Sequence, residues 1–194
     1  DKRVLILERH EAPGGLNSFY RLGGRSYDVG LHAMTNFVPR GTRGAPLSKL
    51  LRQLRIPYEA FDLRPQHCSR IAFPGVSLRF GNGGELLEQE VAEHFPAEID
   101  HYRELVAFVR DYNDTALEQT DQSARELLET RLREPLLREM LLLPLLYYGS
   151  AREHDMELAQ FVTMFKALYL EGFARPPDGV RTIIRALLAK YRQL

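Results

Sequence analysis

Glu8 stands directly behind the apolar run Val4–Leu7, and Gly14 and Gly15 follow six residues on, just after Pro13. The carboxyl end of a short buried strand is where open α/β sheets bind ligands, and an acid there can accept hydrogen bonds from both hydroxyls of a ribose. It can equally be a solvated strand end. Two successive glycines carry no Cβ, so their backbone can approach a phosphate or a ring closely; an isolated pair is more often a turn. The order of parts strengthens the signal: strand, Glu8, spacer with the glycine pair, hairpin, then "YDVGLH" at Tyr27–His32.

Other motifs point away from chemistry. "GNGGE" at Gly81–Glu85 has Leu86 where a dinucleotide fingerprint needs its third glycine, and no Lys-Ser or Lys-Thr pair follows, so it reads as a strand-to-helix turn. His67-Cys68 has no CxxC or HxxxH partner, so no metal site is expected. His10, His94, His101 and His154 are scattered among charged residues and read as solvated. There is no G-x-S-x-G nucleophile elbow. No side chain stands out as a catalytic acid or base.

Several elements must position these residues. Val4–Leu7 reads as a buried strand, and Phe19–Leu22 and Ser26–Val29 flank Gly23-Gly24 as a hairpin. Leu47, Leu50, Leu51 and Leu54 recur at helical spacing from Pro46 to Leu54, and Pro57 ends that helix. Residues 58–63, 69–73 and 76–80 read as short strands, the last two joined through Pro74-Gly75. Helices then take over. Leu87, Val91 and Phe95 form one stripe, and Ile99, Tyr102, Leu105, Val106 and Val109 a second after Pro96. Residues 125–132 read as a short helix and 136–146 as one apolar on nearly every side. Leu158, Phe161, Val162, Phe165, Leu168 and Tyr169 line another. After "PPDG" at Pro176–Gly179, Ile183, Ile184, Leu187, Leu188 and Tyr191 mark the last. The fold class is α/β, an α+β fragment with strands up to about Phe80 and helices afterwards.

The chain has 194 residues, 44% hydrophobic and 27% charged, a globular composition. Its 26 basic and 26 acidic residues cancel, so long-range electrostatics favours neither nucleic acid nor a strongly anionic surface. The single cysteine excludes an intramolecular disulfide framework and fits a cytoplasmic protein. The longest apolar run, Met140–Tyr148, contains Pro144 and is far shorter than the ~20 residues a membrane span needs.

"VLILERHEAPGG" followed by "YDVGLHAM" resembles the N-terminal region of the FAD-dependent amine oxidase and phytoene desaturase superfamily, in the branch of carotenoid desaturases, carotenoid isomerases and retinol saturases. The resemblance is specific over roughly the first 35 residues and beyond them is one of layout. It implies a Rossmann-like FAD-binding domain over residues 1–45, a substrate domain over 46–175, and a helix over 176–194 that returns to the cofactor domain. It also implies that Glu8 binds the adenosine ribose with Arg9 adjoining, that Gly14 and Gly15 lie against the pyrophosphate and flavin, and that Asp28, Gly30 and His32 shape the wall near the flavin. Two departures stand out. Leu16 occupies the position after the glycine pair where many members carry a cation, and the glycine fingerprint that should end ~20 residues before Glu8 is not in the chain. The family's C-terminal FAD-contacting segment is not present either. These departures imply an internal portion of a longer protein that alone binds FAD weakly.

The implied activity is oxidoreduction at carbon–carbon bonds of an apolar, polyene-type substrate. Met140, Leu146, Tyr147, Phe161, Met164, Phe165 and Tyr169 could line part of a tunnel for it, or simply form a helical core. Peripheral membrane contact would suit such a substrate. Two alternatives stay open: an amine oxidase-like or protoporphyrinogen oxidase-like flavoenzyme, and a non-catalytic helical interaction fragment.

Overall fold

The structure, a computed structural model, describes residues 3–30, 33–42, 45–113 and 121–194. The chain is of the mixed α+β class, and its described strands form three two-stranded antiparallel sheets. It divides into two compact units, residues 1–65 with 174–194, and residues 66–173. The divisions fall after Pro65 and Phe173, where the sequence suggested boundaries at 45 and 175.

In the first unit, β1 (Phe19–Leu22) and β2 (Arg25–Asp28) pair with Phe19 opposite Asp28 and Leu22 opposite Arg25. Gly23 and Gly24 have φ of 55° and 75°, the doubly positive turn that matches strand twist. Helix α1 (Pro46–Leu54) starts on proline and buries Leu47 and Leu51; Arg55 ends it in the left-handed conformation, and Ile56 N–H caps the Leu51 carbonyl. Strand β3 (Arg64–Pro65) pairs with β6 (Ala174–Arg175), and Met34 exchanges both backbone hydrogen bonds with Ala174. Helix α7 (Val180–Gln193) sends Ile183 and Ala186 onto the small core of Leu47, Leu51, Ile56 and Phe61.

Two expectations in this unit are corrected. Residues 58–63 are not a strand: Tyr58–Phe61 is a turn of 3-10 helix. Pro57 leads into it, and Tyr58 and Phe61, three apart, share one face of such a turn and pack on the same core. Val4–Leu7 is not a buried strand either. Its four side chains are 63–85% exposed and belong to no sheet, because no described strand lies alongside to pair their backbone groups. The Tyr191 hydroxyl donates to the Val4 carbonyl at 3.0 Å and ties the run to α7.

The second unit carries the larger core. Strands β4 (Ser69–Phe73) and β5 (Val76–Phe80) form the expected hairpin, with Gly75 at φ 82°. They pack with helices α2 (Glu85–His94), α3 (Ile99–Asp111), α4 (Ala124–Arg131), α5 (Pro135–Leu146) and α6 (Leu158–Phe165), and α6 continues into a π-helical turn, Lys166–Glu171. Leu87, Val91, Tyr102, Leu105 and Val109 are buried where their helical spacing placed them. On α5, five residues are buried, as a helix apolar on nearly every side requires. No helix among the described residues is long and apolar enough to cross a membrane.

Candidate functional site

Glu8, Arg9, Gly15, Leu16, Tyr20 and Val29 line an open groove of about 570 Å³ in the first unit. It forms because the segment after Glu8 folds back. His10 N–H donates to Glu8 Oε1 at 2.8 Å, Ala12 N–H to His10 Nδ1 at 3.3 Å, and Asn17 N–H to the Gly14 carbonyl at 2.9 Å. The His10 amide, with smaller help from the Arg9 and Gly14 amides, holds the Glu8 carboxyl below its usual range. At neutral pH Glu8 is therefore an exposed anion that only accepts hydrogen bonds, the chemistry a vicinal diol requires.

Gly14 and Gly30 are close-approach positions, and Gly15 is set by its left-handed φ of 56°. A Cβ on Gly15 would lie 3.6 Å from Glu8 Oε2, so the acid faces bare backbone. On Gly14 it would meet the Asn17 carbonyl and Ile184 Cδ1, each at 2.7 Å, which sets the loop down on α7. On Gly30, at φ 79°, it would strike the Leu16 carbonyl at 2.7 Å. Val29 N–H donates to the Ser18 carbonyl at 2.8 Å, so the far end of the hairpin is tied to the glycine loop. The structure thus brings Glu8, Arg9, Gly14, Gly15 and Gly30 together. His32 lies outside the described residues.

Asp28 has a role that sequence reading missed. Its side chain is fully buried, accepting from Arg175 Nη2 at 2.5 Å and Arg181 Nη1 at 2.9 Å. Arg181 also lies over the Phe19 ring, 4.8 Å from its centroid. Asp28 therefore locks the hairpin to the start of α7 and to β6. The partners stand 147 and 153 residues away in sequence, and no spacing rule reaches that far.

The remaining motifs are structural. In "GNGGE", Asn82 accepts from Gln66 Nε2 and Phe173 N–H at 2.9 Å and donates to the Phe173 carbonyl, while Gly83 N–H donates to the Leu170 carbonyl. These bonds occupy the loop as a strand-to-helix turn. Met140, Phe161, Phe165 and Tyr169 are fully buried in the helical core. Phe165 meets Tyr169 edge-on at 4.9 Å, and the Tyr169 hydroxyl donates to the Leu141 carbonyl at 3.0 Å. Tyr147, expected on a tunnel wall, is 81% exposed, because it follows the end of α5. The sharing of contacts favours the core reading for this set. Cys68 is an exposed free thiol, and no group of three metal-ligating side chains occurs among the described residues.

No protein-family model matches the chain, and no curated protein matches it.

Proposed function

We propose that this chain is part of an FAD-dependent oxidoreductase with a Rossmann-like cofactor domain, of the phytoene desaturase and retinol saturase kind, acting on carbon–carbon bonds of an apolar substrate. The observation that supports this reading is the ionised Glu8 carboxylate beside the bare backbone of Gly15, both lining one open groove. The fit with a dinucleotide is good on two counts. Among the described residues no side-chain donor engages Glu8, and Gly15 leaves free the space that a Cβ would fill. Glu8 would take the ribose hydroxyls, with Arg9 on the same wall, and Gly15 would admit the phosphate chain along its backbone while Gly14 holds the loop against α7. Gly30, pressed on Leu16, holds the loop in that shape. The chemistry FAD supplies when bound is hydride exchange, which leaves this chain the work of binding and orientation.

Titration of the chain with FAD, followed by flavin fluorescence, tests the proposal. Glu8→Ala removes charge-assisted acceptors and should weaken binding roughly 10- to 100-fold. Equal affinity in the variant would take Glu8 out of the site.

A second reading, a non-catalytic interaction piece, draws on the exposed Val4–Leu7 run, since contiguous exposed apolar surface marks interaction sites. Concentration-dependent self-association that Leu5→Lys abolishes, together with no flavin binding, would favour it over the first.

A further inference from the structure

A second groove, of about 310 Å³, lies beside the Glu8 groove in the same unit and shares Ser18 and Phe19 with it. Pro13 and Ile184 line it together with Arg21, Arg181 and Arg185. Arg181, Ile184 and Arg185 fall three and four apart on α7, hence on one face, and Arg21 comes from β1.

The charges there do not cancel. The carboxylates paired with the lining arginines are Asp28 and Asp178. Asp28 is shared between Arg175 and Arg181, and Asp178 accepts from Arg185 at 2.7 Å. Arg21 has no carboxylate partner among the described residues, so three guanidinium groups line the groove against two paired carboxylates, one of which Arg175 also shares. Arg181 is preset twice, by Asp28 and by the Phe19 ring, so it presents its remaining N–H donors at little further entropic cost. Guanidinium forks of this kind match the paired oxygens of a phosphate.

We propose that this groove seats a phosphate-type oxyanion, the pyrophosphate of a dinucleotide whose ribose lies at Glu8. The proposal rests on the dinucleotide reading for the identity of the ligand. It assigns the acid-lined groove to the sugar and the arginine-lined groove to the phosphates, with Ser18 and Phe19 as the common wall.

The experiment is calorimetric titration of the 194-residue chain with inorganic pyrophosphate and, separately, FAD, at low and at physiological ionic strength. Wild type is compared with Arg21→Glu, Arg21→Lys and Arg185→Gln. Arg21 is exposed on the hairpin, so the fold should survive, and far-UV circular dichroism checks that it does. Arg21→Glu should weaken pyrophosphate binding about tenfold or more, Arg21→Lys should retain part of it, and salt should weaken the wild type. Wild-type chain that binds no pyrophosphate at low salt, or Arg21→Glu and Arg185→Gln that bind it as well as wild type does, would overturn the proposal. The two readings fail differently. Pyrophosphate held through Arg21 with FAD binding no tighter leaves the seat and removes the flavin. FAD binding weakened by Glu8→Ala yet untouched by Arg21→Glu leaves the flavin and removes the seat.

Discussion

Replacing Asp28 by asparagine keeps the shape of a fully buried side chain and removes the charge that two arginines converge on. The amide nitrogen would then point a donor at a guanidinium donor. Retreat is blocked, because Gly179 approaches so closely that a Cβ there would lie 1.8 Å from Asp28 Oδ2. Stripping one partner from a buried ion pair costs about 3–5 kcal/mol. The lower end applies here, since Arg175 is 46% exposed and regains water, whereas Arg181, at 18%, regains little. A loss of about 3 kcal/mol lowers the melting midpoint of a unit this small by about 12–24 °C. Because the chain has two units, the change should be read unit by unit, by amide hydrogen exchange during thermal and urea unfolding. Protection should fall in β1, β2 and the first turns of α7. Asp178→Asn is the control: that pair is exposed at both ends and should change stability by less than about 1 kcal/mol. An Asp28→Asn protein that melts within about 2 °C of wild type, well under the shift expected from the unit's size, would refute the reasoning. So would equal loss of protection across both units.

Two further outcomes test the rest of the fold. Glu90, buried on α2, accepts from the Arg79 backbone N–H at 3.0 Å and from its Nε at 2.8 Å, and Arg79 holds its carboxyl below the usual range. A depressed folded-state value means its stabilisation is complete above the unfolded carboxylate range and is lost as pH falls through the folded value. Urea midpoints of the second unit should therefore drop on acidification, and Glu90→Gln should be less stable at pH 7 with a flatter acid limb; an unchanged acid limb would remove Glu90 as its source. Gly30→Ala places a Cβ against the Leu16 carbonyl at a left-handed φ, so it should cost about 2 kcal/mol or more and weaken FAD binding along with stability. Full stability in the variant would show that the glycine loop is not held there.

Much of the local structure was legible because it is local. The hairpin at Gly23-Gly24, the hairpin at Pro74-Gly75, helix α1 between Pro46 and Arg55, and the helical stripes from Leu87 to Tyr169 follow from periodicity and turn chemistry, which act over a few residues. Residues 58–63 misled because Tyr58, Phe61 and Leu63 interleaved with the acids Glu59 and Asp62 suit a strand as well as a 3-10 turn. Only packing on Leu47 and Leu51 selects the turn. Val4–Leu7 misled because an apolar run predicts burial without saying what covers it.

By itself the sequence determined the residue types at the site: an acid behind an apolar run, a glycine pair, and a glycine after the hairpin. Tertiary structure decided what those residues face. It folded Glu8 over Gly15, pressed Gly30 onto Leu16, and brought Arg175 and Arg181 to Asp28. The reason is range. Backbone preference and hydrophobic period act between neighbours, while a buried carboxylate draws its partners from wherever the chain returns, here about 150 residues on.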